Sequence, residues 1–258
     1  MDMASVRAGM PWRRLIQRVP APLLAAVACL VIWQAAASWM GEDALSAPAP
    51  SVLRLWAMLG APRYRPDFAA TGLAFGIALL IVWVTGLLLA VWLGLSRLAN
   101  DVTEPMLVSF YAIPKVTLYP IVLLLFGIGV NAVVAFGVMH GIVPVALIGM
   151  AAIRNLKPFL LRTARGMRLS RSSAIVHVLL PAIMPELLNA MRIGFSLTLL
   201  GVLIGEMFGG KRGLGFLLMR AIGGADNDTI MAVALLLLTL AITANAALGR
   251  LARRFAET

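Results

Sequence analysis

The ionisable side chains are few, and their positions decide what chemistry is open to this chain. Asp2, Glu42, Asp43, Asp67, Asp101, Glu104, Glu186, Asp226, Asp228 and Glu257 fall in loops, tails or the ends of apolar runs. Glu206 alone falls within an apolar run, near its outer end. Ion-coupled transporters need an ionisable group inside the membrane to bind a proton or sodium ion. No acid is expected at mid-membrane, so proton coupling is not expected. Uphill movement of a solute would then draw its energy from a partner.

Two cations lie near the inner ends of apolar runs. Lys115 follows Pro114, with Pro120 five residues on, and Arg192 opens another run. Each is open to two readings: a side chain that snorkels to the interface, or a cation lining the path of an anionic solute. Glu206 is a third candidate for that path. His140 and His177 are far apart in sequence and match no metal spacing. Cys29, the one cysteine, sits inside the first apolar run and reads as a small buried hydrophobe. No phosphate loop of the Walker type is present, so ATP hydrolysis by this chain is not expected. No catalytic residue and no metal ligand is assigned.

The elements that position these residues are membrane spans. Of 258 residues, 61% are hydrophobic and 13% charged, beyond the range of ordinary globular domains. About 20 apolar residues cross the hydrocarbon core. Ala21–Met40, Ala69–Ser96 and Thr229–Gly249 qualify without a charge. The first is too long for a signal-peptide core and reads as a retained span. Val116–Ile153 is uncharged but too long for one crossing. It breaks at Gly127-Ile-Gly129-Val-Asn131, a turn signal, into one helix over Glu104–Phe126 and another over Ala132–Ile153. Leu187–Phe208 is the sixth, weaker span. The expectation is an all-α membrane protein, one transmembrane domain over residues 1–258.

The net charge of +11 follows the spans, so it reads as topology and anionic lipid, not nucleic acid. Four arginines precede span one, six cations follow span four, and Arg250, Arg253 and Arg254 close the chain. With six spans these three clusters share one side, which must be cytoplasmic. Both termini are therefore expected in the cytoplasm of a multi-pass protein. The first outer loop, with Pro48, Pro50 and Pro62, is expected to be only partly ordered. The last outer loop holds an apolar stretch, Phe216–Ile222, that suits a short interfacial helix.

The cytoplasmic loop from Arg154 to Pro181 is the most basic segment. Arg154, Lys157, Arg162, Arg165, Arg168 and Arg171 stand in it without an acid. Arg162, Arg165 and Arg168 are spaced to share a helix face. Ser170 reads as an N-cap, followed by an apolar helix that Pro181 ends. Leu169, Ile175, Val176 and Leu179 suit either a groove on a cytoplasmic partner or the surface of an anionic bilayer.

Several of these segments together resemble the membrane-spanning permease subunits of bacterial ATP-binding cassette importers of the nitrate, sulfonate, taurine and bicarbonate group. Ala47-Pro-Ala-Pro-Ser-Val-Leu resembles the family's segment before span two. Ile113-Pro-Lys-Val-Thr-Leu-Tyr-Pro with Phe126-Gly-Ile-Gly resembles its span-three signature. Gly205-Glu-Met-Phe-Gly-Gly with Gly213-Leu-Gly-Phe-Leu resembles the turn after span five. The family's cytoplasmic motif, E-A-A-x-x-x-G-x(9)-I-x-L-P, aligns on Leu180-Pro181. Val178 then stands at its isoleucine and Ala164 at its second alanine. Arg162 replaces the glutamate, Thr163 the first alanine and Arg168 the glycine, while Gly166 sits two positions early.

The resemblance implies the type I importer permease fold, with cytoplasmic coupling helices between spans four and five. It implies that Arg162, Ala164, Arg165, Gly166, Arg168, Leu169, Ser170, Ile175, Val176, Val178, Leu180 and Pro181 form the surface that docks on an ATPase. The implied partners are a second copy of the chain, two cytoplasmic ABC ATPase subunits carrying ATP and Mg, and a periplasmic or lipid-anchored solute-binding protein. All would sit at a bacterial inner membrane. The solute implied is a small anion. A same-fold importer of a neutral or cationic solute, or a membrane scaffold or channel, are the other readings.

Overall fold

The computed structural model describes residues 21–41, 44–156, 159–160, 162 and 166–256, and among them the regular elements are all helical. α1 covers Ala21–Met40, α2 Pro48–Gly60 and α3 Arg65–Gly94, with a 3-10 turn at Pro62–Tyr64. α4 covers Arg97–Ala112, a 3-10 turn Lys115–Leu118 follows, and α5 covers Tyr119–Phe126. α6 is Val130–Arg154. α7 is the short helix Arg171–Ala174, which passes through a π turn at Ile175–Leu179 directly into α8, Leu180–Gly209. α9 is Leu214–Gly223 and α10 Asn227–Ala256. Five helical stretches are long and apolar enough to cross a membrane, or six when the bent pair α4 and α5 counts as one. The chain is a multi-pass, all-α membrane protein.

Three expectations need correction. The helix expected over Glu104–Phe126 is two pieces, bent by 88° at Ile113-Pro114. Pro114 has no N–H to continue α4 and pushes Ile113 to φ −66°, ψ 132°, an extended conformation. Within the first outer loop the Pro48–Gly60 segment is helical, because Pro48 starts α2 at a position where no N–H is needed. Pro181 does not end a helix. It lies in the first turn of α8, and the helical run continues from Arg171 to Gly209.

Packing is closest where side chains are smallest. α6 lies at the centre, against α3 on one side and α8 on the other. Gly137 of α6 faces Gly201 of α8, Gly141 one turn on faces Thr198, and Gly205 faces Val133. A Cβ built on Gly201 would stand 2.9 Å from Gly137 Cα and from the Phe136 carbonyl oxygen. Helices in lipid lack a hydrophobic drive toward each other, so such small-residue stripes supply the contact. Apolar clusters close the two ends. Met58, Tyr64, Leu214, Leu217, Ala232 and Val233 join α2, α9 and α10. Ala152, Ile153, Leu179, Ile183 and Leu187 join α6 to α8 at the opposite end. The hairpin turn lies where expected: Gly127 (φ 73°) and Gly129 (φ 136°) adopt backbone conformations that side chains disfavour.

Candidate functional site

At one end of α8, Glu206 is buried to 2% exposure. Its carboxylate accepts hydrogen bonds from Thr71 Oγ1 (2.9 Å) and from the Gly215 amide (2.9 Å). Thr71 Oγ1 in turn accepts from the Leu214 amide at 2.7 Å, and Asp67 Oδ1 accepts from the Gly213 amide at 3.2 Å. These amides are the unpaired donors that begin α9, where the helix dipole favours negative charge. Gly213, at φ 123°, makes the approach possible, since a side chain there would collide with the Glu206 carboxylate. Tyr119 donates to the Gly205 carbonyl at 2.7 Å and ties α5 to the same place. The group forms a clasp holding α3, α5, α8 and α9 together. Beside it, Arg54 pairs with Asp226 at 3.0 Å and donates to Thr229, joining α2 to α10. Burial pushes the Asp226 carboxyl up, but the Thr229 hydroxyl and amide and the Arg54 guanidinium outweigh it and hold it below its ordinary value.

The opposite end of α8 carries the basic loop. Ala164 and Arg165 lie outside the described residues, as do Lys157 and Thr163. Arg162 and Gly166 are helical and exposed. Arg168 is not helical: it lies in a turn at φ 53°, a left-handed conformation, so it does not share a helix face with Arg162. Left-handed residues end helices in this way. Ser170 caps α7 as expected, its Oγ accepting from the Ser173 amide at 3.2 Å. Leu169 and Val178 are half-buried, Ile175 lies in the π turn, Pro181 is exposed and Val176 is 54% exposed. Leu179 is not available to a partner groove, because it is packed at 6% exposure against Ala152 and Ile183, with Leu180 beside it. A hollow of about 620 Å³ opens between Ala151, Asn155, Phe159, Ala182 and Glu186. Arg154 closes this end against α4, 2.9 Å from Glu104 and 3.5 Å from Asp101.

The two remaining candidates behave differently. Lys115 does not snorkel. It is 9% exposed, its Nζ donates to the Tyr111 carbonyl at 3.1 Å, and the ammonium lies 4.5 Å from the Tyr111 ring centroid. It therefore caps the broken end of α4, where carbonyls lack helical partners. Arg192 is exposed and donates from Nε to Asn245 Oδ1 at 2.8 Å, bridging α8 and α10.

Sequence reading passed over Asp67, Thr71 and Arg54. The Glu206–Thr71 pair is separated by 135 residues, so no local pattern links them. The glycines of the 209–215 turn were the one visible sign that a backbone approaches another group closely.

Comparison with known proteins places the chain among transporters. The family described as binding-protein-dependent transport system inner membrane component matches residues 83–257. A probable ABC transporter permease protein of Haemophilus influenzae is 28% identical over 238 residues, 92% of this chain and 97% of that protein. The nitrate import permease protein NrtB of Leptolyngbya laminosa is 26% identical over 250 residues, 93% of this chain and 89% of its own. An inward-facing structure of the MetNI methionine ABC transporter superposes with a TM-score of 0.60 at 22% identity. It covers 72% of this chain and 93% of that one, and shows the shared fold.

Proposed function

The chain belongs to the binding-protein-dependent transport system inner membrane components, the permeases of ABC importers, and from that premise we propose that it moves a small anionic solute inward, such as a sulfonate, taurine, nitrate or a related compound. The likeness to a nitrate permease supports the anion. Two copies of the chain form the pathway between them. A solute-binding protein delivers from outside, and two ATPase subunits, which hold ATP and Mg, act from the cytoplasm. The arginine bias puts both termini and the 154–181 segment on the ATPase side.

One observation carries the mechanism: α7, the π turn and α8 form an uninterrupted helical run. α8 alone has 30 residues, about 45 Å at 1.5 Å per residue. A displacement of the docking segment is therefore delivered to Gly205 and Glu206 at the far end. There the Tyr119 and Thr71 hydrogen bonds hold the outer clasp closed. Closure of the ATPases on ATP pulls the two docking segments together and opens that clasp. Of the two cations within the spans, Arg192 is exposed on α8 and open to the solute, while Lys115 holds the α4 break.

Val176→Cys in a Cys29→Ser background tests the docking surface. A thiol-to-amine cross-linker attached at this exposed position is expected to capture a lysine of the copurifying ATPase. Cross-links to lipid-facing probes only, with no ATPase captured, would favour the scaffold or channel reading. ATP-driven uptake of a neutral solute with no anion uptake would replace the anion.

A further inference from the structure

At the end of the bundle that holds the clasp, a recess of about 590 Å³ opens between α2, the start of α3, the 210–213 turn and α9. Arg54, Arg63, Lys211, Arg212 and Arg220 face it, against Asp67 and Asp226. Both acids are already engaged. Asp226 pairs with Arg54 at 3.0 Å, and Asp67 accepts from the Gly213 amide. Arg63 donates to the Tyr64 hydroxyl at 2.9 Å and lies over that neutral ring. Among the described residues, the side chains of Lys211, Arg212 and Arg220 make no ion pair. The recess thus holds five cations against two carboxylates, an excess of three positive charges. Such a concavity raises the local concentration of anions, and guanidinium groups fit the oxygens of sulfonate, nitrate, carboxylate or phosphate.

A second hollow, of about 340 Å³, lies on the other side of the same turn. It shares Lys211 and Arg212 with the recess, is otherwise largely apolar, and reaches Glu206 of the clasp. The two cations therefore stand between an open, polar site and the clasp that must open for solute to pass.

We propose that each protomer holds a small oxyanion in this recess, with Lys211, Arg212 and Arg220 as its ligands. The proposal rests on the anion-importer reading and on the topology that places this end outside. The recess is an arrival site at the mouth of the pathway. The same chemistry would recognise a lipid phosphate, and the two sources are separable.

The test uses the permease–ATPase complex in phosphatidylcholine nanodiscs, without binding protein or nucleotide. Binding of radiolabelled sulfate and its displacement by methanesulfonate and nitrate are measured. The Lys211→Gln/Arg212→Gln/Arg220→Gln variant is expected to bind about tenfold more weakly or worse. Retained copurification of its ATPase shows that it is folded. Loss of sulfate binding when phosphatidylglycerol is added identifies the occupant as a lipid phosphate. Unchanged binding identifies it as the free anion. Equal sulfate binding by wild type and variant, or none by either, overturns the proposal. So does a variant that keeps sulfate binding but loses affinity for the binding protein, which makes the surface a protein dock. Anion uptake with unchanged kinetics in the variant removes the recess alone, whereas a complex that transports no anion removes the function it rests on.

Discussion

Arg168 adopts a backbone conformation that suits a different residue, and exchanging it should tighten the docking segment. Its φ of 53° costs an L-residue about 1–2 kcal/mol relative to right-handed backbone. Arg168→Gly removes that cost, while glycine's freedom in the opened chain returns about 0.5–1 kcal/mol. The net gain is about 0.5–1 kcal/mol. Two residues earlier, Gly166 is helical, has no positive φ, and a Cβ there would meet nothing within 4 Å. Gly166→Ala adds about 0.4–1 kcal/mol. The double variant moves glycine to the left-handed position and should stabilise the segment by about 1–2 kcal/mol, a factor of about 5–30 in its opening equilibrium. Amide hydrogen exchange in nanodiscs reads this directly. Peptides covering residues 166–174 should exchange more slowly, while peptides from the middle of α8 stay unchanged. Arg168→Ala removes the same charge and keeps the strain. If it slows exchange as much as Arg168→Gly, or if the double variant exchanges faster, the conformational argument is wrong.

Glu206→Ala leaves the Thr71 hydroxyl and the Gly215 amide without their acceptor and should cost about 2–4 kcal/mol. Glu206→Gln keeps one acceptor oxygen and should lose less, and thermal denaturation in detergent would show the order reversed if the clasp were not structural. Gly201→Val drives side-chain atoms into Gly137 and the Phe136 carbonyl and should cost about 1–3 kcal/mol. Gly72→Val, with nothing within 4 Å of its Cβ, is the silent control in the same denaturation series. Asp226 is held below its ordinary value in the folded protein. Its contribution is therefore present above the unfolded carboxylate pKa of about 4 and is lost as pH falls through the lower folded value. Protease cleavage between α2 and α3 should rise on acidification in wild type. In Asp226→Asn the cleavage should be higher at neutral pH and lack that acid-dependent step.

The spans were readable because uncharged runs near the length of a membrane core leave few alternatives, and the Gly127–Gly129 turn and the Ser170 cap were readable from local chemistry. Proline was the recurrent source of error. Pro48 opens α2, Pro114 breaks the expected third span, and Pro181 opens α8 rather than ending the helix before it. The residue lacks an N–H in all three places, but whether that matters depends on which carbonyl is left facing it, and this is set by packing. The basic loop was legible as a charged segment. The burial of Leu179 was not, because an apolar helix face looks the same whether it awaits a partner or meets its own α6. Glu206 was visible as an acid near a span end. Its role in closing the start of α9 depends on Thr71 and Asp67, which chain order hides and the fold brings together.

The central claim is that ATP hydrolysis by a partner drives an anion through this chain. It is tested most directly by uptake of a labelled sulfonate or nitrate into proteoliposomes. These would hold the permease, its copurifying ATPase and the binding protein, with Mg-ATP on the ATPase side and no ion gradient. Accumulation above equilibrium is expected with ATP, and none is expected with an ATPase subunit disabled for hydrolysis. Accumulation that ignores ATP and follows an imposed proton or sodium gradient would contradict the account.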